Sequence, residues 1–148
     1  MQMRTILIHS LTGSNDQMFN PDERDGYNDP NIYLRERLLQ YGYVLRTADN
    51  NPLDSCDWVF FFDSASVKTY AGWRGLGRRI KTRLRGQKLV RDLFYECINA
   101  GMQNRIALFL WEGPAVLPEN WDSKLHDLFP VIFTWHDAYV DNNRHYAD

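Results

Sequence analysis

The sequence predicts an α/β domain of Rossmann-like form, an open and mostly parallel sheet with helices on both faces. Three observations predict it. Several short runs are apolar without strict alternation, as parallel strands buried on both faces require. Those runs alternate with segments whose apolar residues recur at helical spacing. The 148 residues are 44% hydrophobic and 14% aromatic, enough for a single core, whereas two domains of that length would each be marginal.

The elements follow in order. Thr5 to Ser10 reads as the first strand, and a long loop rich in Gly, Asn, Asp and Pro follows to Asn28. Asp29-Pro30 supplies an N-cap and a proline at the first helical position; Leu34, Leu38 and Tyr41 then recur until Gly42, giving a helix over about 30 to 41. Tyr43 to Thr47 is the second strand, ended by the turn chemistry of Asn50-Asn51-Pro52. The compact strand, helix, strand order implies a right-handed crossover. Trp58 to Phe62 is a third, central strand. Leu76, Ile80 and Leu84 lie four apart in a basic helix, and Gly86 separates it from a second helix over about 87 to 100, stopped by Gly101. Residues 106 to 111 form the next strand. Pro118 and Glu119 open a short helix through Leu125 and Phe129, a last strand covers 131 to 135, and a polar exit linker is expected over about 140 to 148. The reading is one domain over 1 to 148, with a basic helical segment at about 68 to 100 and no internal repeat.

Composition excludes several classes. The first apolar run is too short for a secretory signal and no run approaches a membrane span, so a soluble, cytoplasmic protein is expected. Cys56 and Cys97 fall in a predicted strand and a predicted helix without ligand-type spacing, and are expected to be reduced core residues. His9, His126, His136 and His145 show no paired spacing with thiols or carboxylates, so no metal is expected. Net charge is −2, but its distribution is polar: residues 64 to 91 hold nine of the 17 Lys and Arg and no acid, which leaves eight bases against all 19 acids elsewhere. Within that segment Arg74, Arg78, Arg79, Lys81 and Arg85 form a candidate patch for an anionic surface. Gly72-Trp73-Arg74-Gly75-Leu76-Gly77 imitates a phosphate loop, yet it lacks the Gly-Lys-Ser/Thr ending and follows no strand directly.

Chemistry in an open parallel sheet gathers where strands end. The strand 106 to 111 runs into Glu112-Gly113-Pro114, which bends the backbone away and leaves the carboxylate face open, so Glu112 is the candidate general base. Trp111, Gly113, His136 and Asp137 at the two C-terminal strand ends, with Ser10 and Thr12 in the loop after the first strand, are the candidate ligand-binding residues beside it. That first loop lacks the three-glycine fingerprint, which argues against a dinucleotide.

The ordered run Trp111-Glu112-Gly113-Pro114, Pro118-Glu119-Asn120, Leu125, Leu128-Phe129, Ile132-Phe133-Thr134-Trp135, Asp137 and Val140-Asp141, with Asp57 to Asp63 upstream, resembles the N-terminal domain of the alpha-1,3-fucosyltransferase family, glycosyltransferase family ten. The resemblance covers roughly residues 40 to 63 and 104 to 146. It implies the acceptor-side half of a two-domain, GT-B type glycosyltransferase in which a glutamate at the position of Glu112 deprotonates a glycan hydroxyl. That hydroxyl attacks the anomeric carbon of a nucleotide-sugar, GDP-fucose by analogy, opposite the leaving phosphate. The same resemblance implies no cofactor on this domain. The donor would bind a C-terminal domain or partner chain without counterpart in these 148 residues, so the chain alone is expected not to transfer sugar. The rival expectation is a non-enzymatic α/β module docking on nucleic acid or an anionic membrane through its basic helices.

Overall fold

A computed structural model describes residues 3–11, 15–23, 25–67, 72–86, 91–140 and 146–147, with the side chains of 72–74 and 146–147 outside the description. Strands β1 (Arg4–His9), β2 (Tyr43–Thr47), β3 (Trp58–Phe62), β4 (Ile106–Leu110), β5 (Val131–Thr134) and β6 (Tyr146–Ala147) form one sheet in the order β2-β1-β3-β4-β5-β6. All five pairings are parallel. This is the open, doubly wound α/β architecture. The chain leaves β1 towards β2 on one side and then passes to β3 on the other, so the crevice between the ends of β1 and β3 is the topological switch point where such folds bind ligands.

The central strands carry the core because both their faces are covered. Val59, Phe60, Phe61 and Phe62 are all buried, with their side chains directed alternately to opposite faces. One face collects Leu7, Val59, Phe61, Ile106, Leu108 and Ile132 under Leu93, Phe94 and Cys97 of α4 (Leu93–Asn99), with Phe129 closing the end. The other collects Ile6, Ile8, Leu45, Phe60 and Phe62 under Met18 and Phe19 of the first loop and under Leu34 and Leu38 of α1 (Asp29–Gln40). Phe61 meets Phe94 and Phe129 edge-on at 5.8 and 5.7 Å, a geometry that sets the positive ring edge against the negative ring face.

Several expectations are refined. Asn28, not Asp29, occupies the N-cap of α1, and its side chain instead donates to the carbonyls of Gln17 and Asn20, both at 3.0 Å. The helix expected from Pro118 to Phe129 is a 3-10 turn (Pro118–Trp121) followed by the single turn α5 (Ser123–His126). The break falls at Asp122, whose extended backbone (φ −75°, ψ 117°) suits the cap position, and its carboxylate accepts from the Lys124 N–H at 2.9 Å. The helix expected over 87 to 100 is observed from Leu93, with residues 87–90 outside the described part. In the expected exit linker, Tyr146–Ala147 pairs with Ile132 and Phe133.

Cys56 lies after a 3-10 turn (Leu53–Ser55) rather than in a strand, and both cysteines are free thiols. Burial pushes the Cys56 thiol up to about 11 and the Cys97 thiol up to about 12, so neither is an activated nucleophile. Arg91, the last base of the positive segment, turns back onto the body. It pairs with Glu96 at 2.7 Å and donates to the carbonyls of Ala48 and Asn51. Among the described residues no helix is long and apolar enough to cross a membrane.

Candidate functional site

The ends of β1, β3 and β4 converge on a cleft of about 360 Å³, within the range of small-ligand sites. Ser10 and Leu11 follow β1, Phe62 and Asp63 end β3, and Trp111 and Glu112 follow β4; Tyr27, Asn28 and Asn31 form the facing wall from the first loop and α1. The cleft therefore lies at the switch point that the strand order defines.

Its wall is held in place by short-range chemistry. The first loop is clamped to the end of β2 through Asp16, whose carboxylate accepts from the Thr47 N–H at 2.8 Å and lies 3.1 Å from the Thr47 hydroxyl, while the Asp16 N–H donates back to that hydroxyl at 3.0 Å. Asn15 and Asp16 both sit at positive φ, 57° and 58°. Asn and Asp tolerate that left-handed region best among residues with a Cβ.

Asp63 organises the opposite side. Its backbone is left-handed too, φ 60°, at the point where β3 passes into the short helix α2 (Asp63–Ser66). One carboxylate oxygen, Oδ1, accepts from the Trp111 N–H at 2.8 Å, the Glu112 N–H at 3.1 Å and the Asn120 amide at 2.6 Å. Asn120 is fully buried. The same amide donates to the Glu112 carbonyl at 3.0 Å, its Oδ1 accepts from the Ser64 N–H at 2.7 Å, and its own carbonyl lies 2.7 Å from His126 Nε2. The backbone of Glu112 is thus held on both sides, its N–H by Asp63 and its carbonyl by Asn120. A left-handed residue kept in place by three hydrogen bonds is the kind of local strain that marks a positioned site.

Glu112 itself is half-buried in the cleft wall, and among the described residues its carboxylate has no ion-pair or hydrogen-bond partner. A fixed backbone with an uncommitted carboxylate is what a proton acceptor needs, since geometry comes before acidity. Trp111 is 45% exposed and stacks on Phe62 with an interplanar angle of 11°. Trp135, 58% exposed, donates its indole N–H to the Trp111 carbonyl at 3.1 Å. The Trp135 ring lies over Gly113 at a distance that would put it in ordinary van der Waals contact, 3.4 Å, with a Cβ at that position, so the packing of the indole does not itself demand a glycine.

Of the expected site residues, Glu112, Trp111 and Ser10 line the cleft. Gly113 is not among the lining residues and lies against the Trp135 ring. His136 and Asp137 are not among the lining residues: His136 packs against Trp121 and Tyr139 at 5.2 and 5.4 Å, and Asp137 is exposed in a turn. Thr12 lies outside the described residues. Arg78, Arg79, Lys81 and Arg85 fall on or just after α3 (Gly72–Leu84), away from the cleft lining, as does the backbone of Arg74, whose side chain is outside the description. Asp63, Asn120 and the facing Tyr27, Asn28 and Asn31 were not singled out as site residues from sequence. An acid closing an apolar strand was the available signal for Asp63, while Asn120 lies inside the Pro118-Glu119-Asn120 run without anything to mark it as buried.

Elsewhere at the strand ends, His9 is buried on the α4 side of the sheet, edge-on to Phe61. Burial, reinforced by Arg91, holds its imidazole below the ordinary range. Among the described residues no group of three or more His, Cys, Asp or Glu side chains is placed to hold a metal ion.

Fold and cleft together define an α/β domain of the open parallel-sheet class with a ligand-sized site at its switch point. Comparison with protein-family models, with curated proteins and with solved structures finds no match in any of the three. The functional reading therefore rests on the geometry and the residue pattern of the chain itself.

Proposed function

We propose that the cleft binds the hydroxyl-bearing acceptor of a sugar-transfer reaction, with Glu112 as the general base, in the manner of the acceptor-side domain of an inverting glycosyltransferase. The observation that carries this reading is the chemistry of the cleft wall. Glu23, Asp63 and Glu112 contribute three carboxylates, Asn28, Asn31, Ser10 and Tyr27 contribute amides and hydroxyls, and no described lining residue is cationic. A phosphate or sulfate would meet like charge there, whereas a neutral polyol finds acceptors for its hydroxyl protons and an exposed indole, Trp111, for its apolar ring face. The resemblance of the run from Trp111 to Asp141 to alpha-1,3-fucosyltransferases supports the same assignment, with the nucleotide-sugar arriving from a separate domain or chain. Two free thiols held protonated suit a reducing, cytoplasmic setting.

In that role the carboxylate would take the proton of a bound hydroxyl as its oxygen attacks the donor sugar, and Asp63 and Asn120 would keep the carboxylate in line. Titration calorimetry with neutral mono- and disaccharides and with their phosphorylated counterparts tests the reading. The neutral ligands are expected to bind at least about tenfold tighter, which corresponds to ~1.4 kcal/mol. Preference for the charged members, or heat from none of them, contradicts it.

A further inference from the structure

We infer that α3 is an interfacial helix that docks the domain on an anionic lipid surface. The inference is independent of the sugar-binding reading, because it rests on a different part of the molecule. Gly75 is buried, but from Leu76 to Gly86 every residue is exposed except half-buried Thr82. Leu76, Ile80 and Leu84 are 46%, 52% and 83% exposed, which is uncommon for aliphatic side chains repeated at one helical spacing. Their four-residue interval sets them in one slowly drifting stripe, about 80° wide at ~100° per residue.

Charge decides what covers that stripe. Residues 75 to 86 carry Arg78, Arg79, Lys81, Arg83 and Arg85 and no acid. On the same ~100° spacing, Arg79 and Lys81 flank the stripe on its two sides and Arg83 lies beside it. Long basic side chains so placed can lay their alkyl stems along an apolar boundary while their charged ends reach phosphate headgroups. A second copy of the chain fits badly, since stripe-to-stripe packing would bring two cationic helices together without a compensating acid. Nucleic acid would engage the charges but leave the aliphatic stripe in water. An anionic bilayer surface satisfies both, and the cytoplasmic leaflet offers one.

The test is sedimentation of the whole chain with phosphatidylcholine vesicles carrying about one-third phosphatidylserine, against vesicles of phosphatidylcholine alone. Binding to the anionic vesicles only is expected, weakening as salt is raised. Ile80→Asp and Leu84→Ser are each expected to reduce it by about tenfold or more, and Arg79→Ser with Lys81→Ser by a similar factor. Leu84 is so exposed that its replacement leaves the fold intact, which circular dichroism checks. Failure to pellet with the anionic vesicles at low salt overturns the inference. So does unchanged binding by Leu84→Ser, which would reduce the helix to a charge-only, nucleic-acid-like surface, or a dimer in light scattering that Leu84→Ser dissolves.

Discussion

Asp63→Ala is expected to destabilise the domain by about 2–4 kcal/mol and to abolish saccharide binding, the largest stability effect predicted for any residue of the cleft. Two terms add. The substitution removes an ionised acceptor shared by the Trp111 N–H, the Glu112 N–H and the Asn120 amide, and it leaves a Cβ-bearing residue without a local hydrogen-bonding side chain at φ 60°. The terms separate experimentally. Asp63→Asn keeps an oxygen acceptor and tolerance for the left-handed region, and should lose only about 1 kcal/mol. Asp63→Gly relieves the backbone but not the hydrogen bonds, so it should fall between the other two. Denaturant unfolding of the three variants gives the order; Ala and Asn both as stable as the wild type would show that the Asp63 side chain is not what holds the turn.

Glu112→Gln is expected to lower sugar transfer by ~10² to 10⁴ once a donor-bearing domain or chain is supplied, while leaving saccharide affinity nearly unchanged. Gln keeps the volume and the backbone hydrogen bonds to Asp63 and Asn120, so only proton acceptance is lost. A base acts on the transition state more than on the bound ground state, which is why kcat and not KM should fall. Equal rates for the two proteins would remove Glu112 from the chemistry and leave the cleft a binding site.

Much of this framework was legible in the residues. Tyr43–Thr47 and Trp58–Phe62 are strands with the expected bounds because turn formers delimit apolar runs of strand length. The exposed strand end at Glu112 followed from the same logic, Gly113-Pro114 after an apolar strand. What remained hidden depends on contacts remote in sequence. The three partners of Asp63 lie 48, 49 and 57 residues away, and no local pattern announces a left-handed aspartate. The strand order that puts β1 beside β3 is likewise a tertiary outcome, and it brings Tyr27, Asn28 and Asn31 across from Glu112. His136 and Asp137 illustrate the converse. They stand at a strand end as expected, but aromatic packing with Trp121 and Tyr139 draws His136 away from the cleft lining.

Amide-resolved NMR titration of the chain with the neutral saccharide that binds most tightly tests the central claim most directly. The account predicts the largest shifts at the amides of Ser10, Trp111 and Glu112 and at the Trp111 indole, with α3 silent. Shifts confined to α3, or saturable binding that leaves Glu112 and Trp111 unmoved, would contradict it.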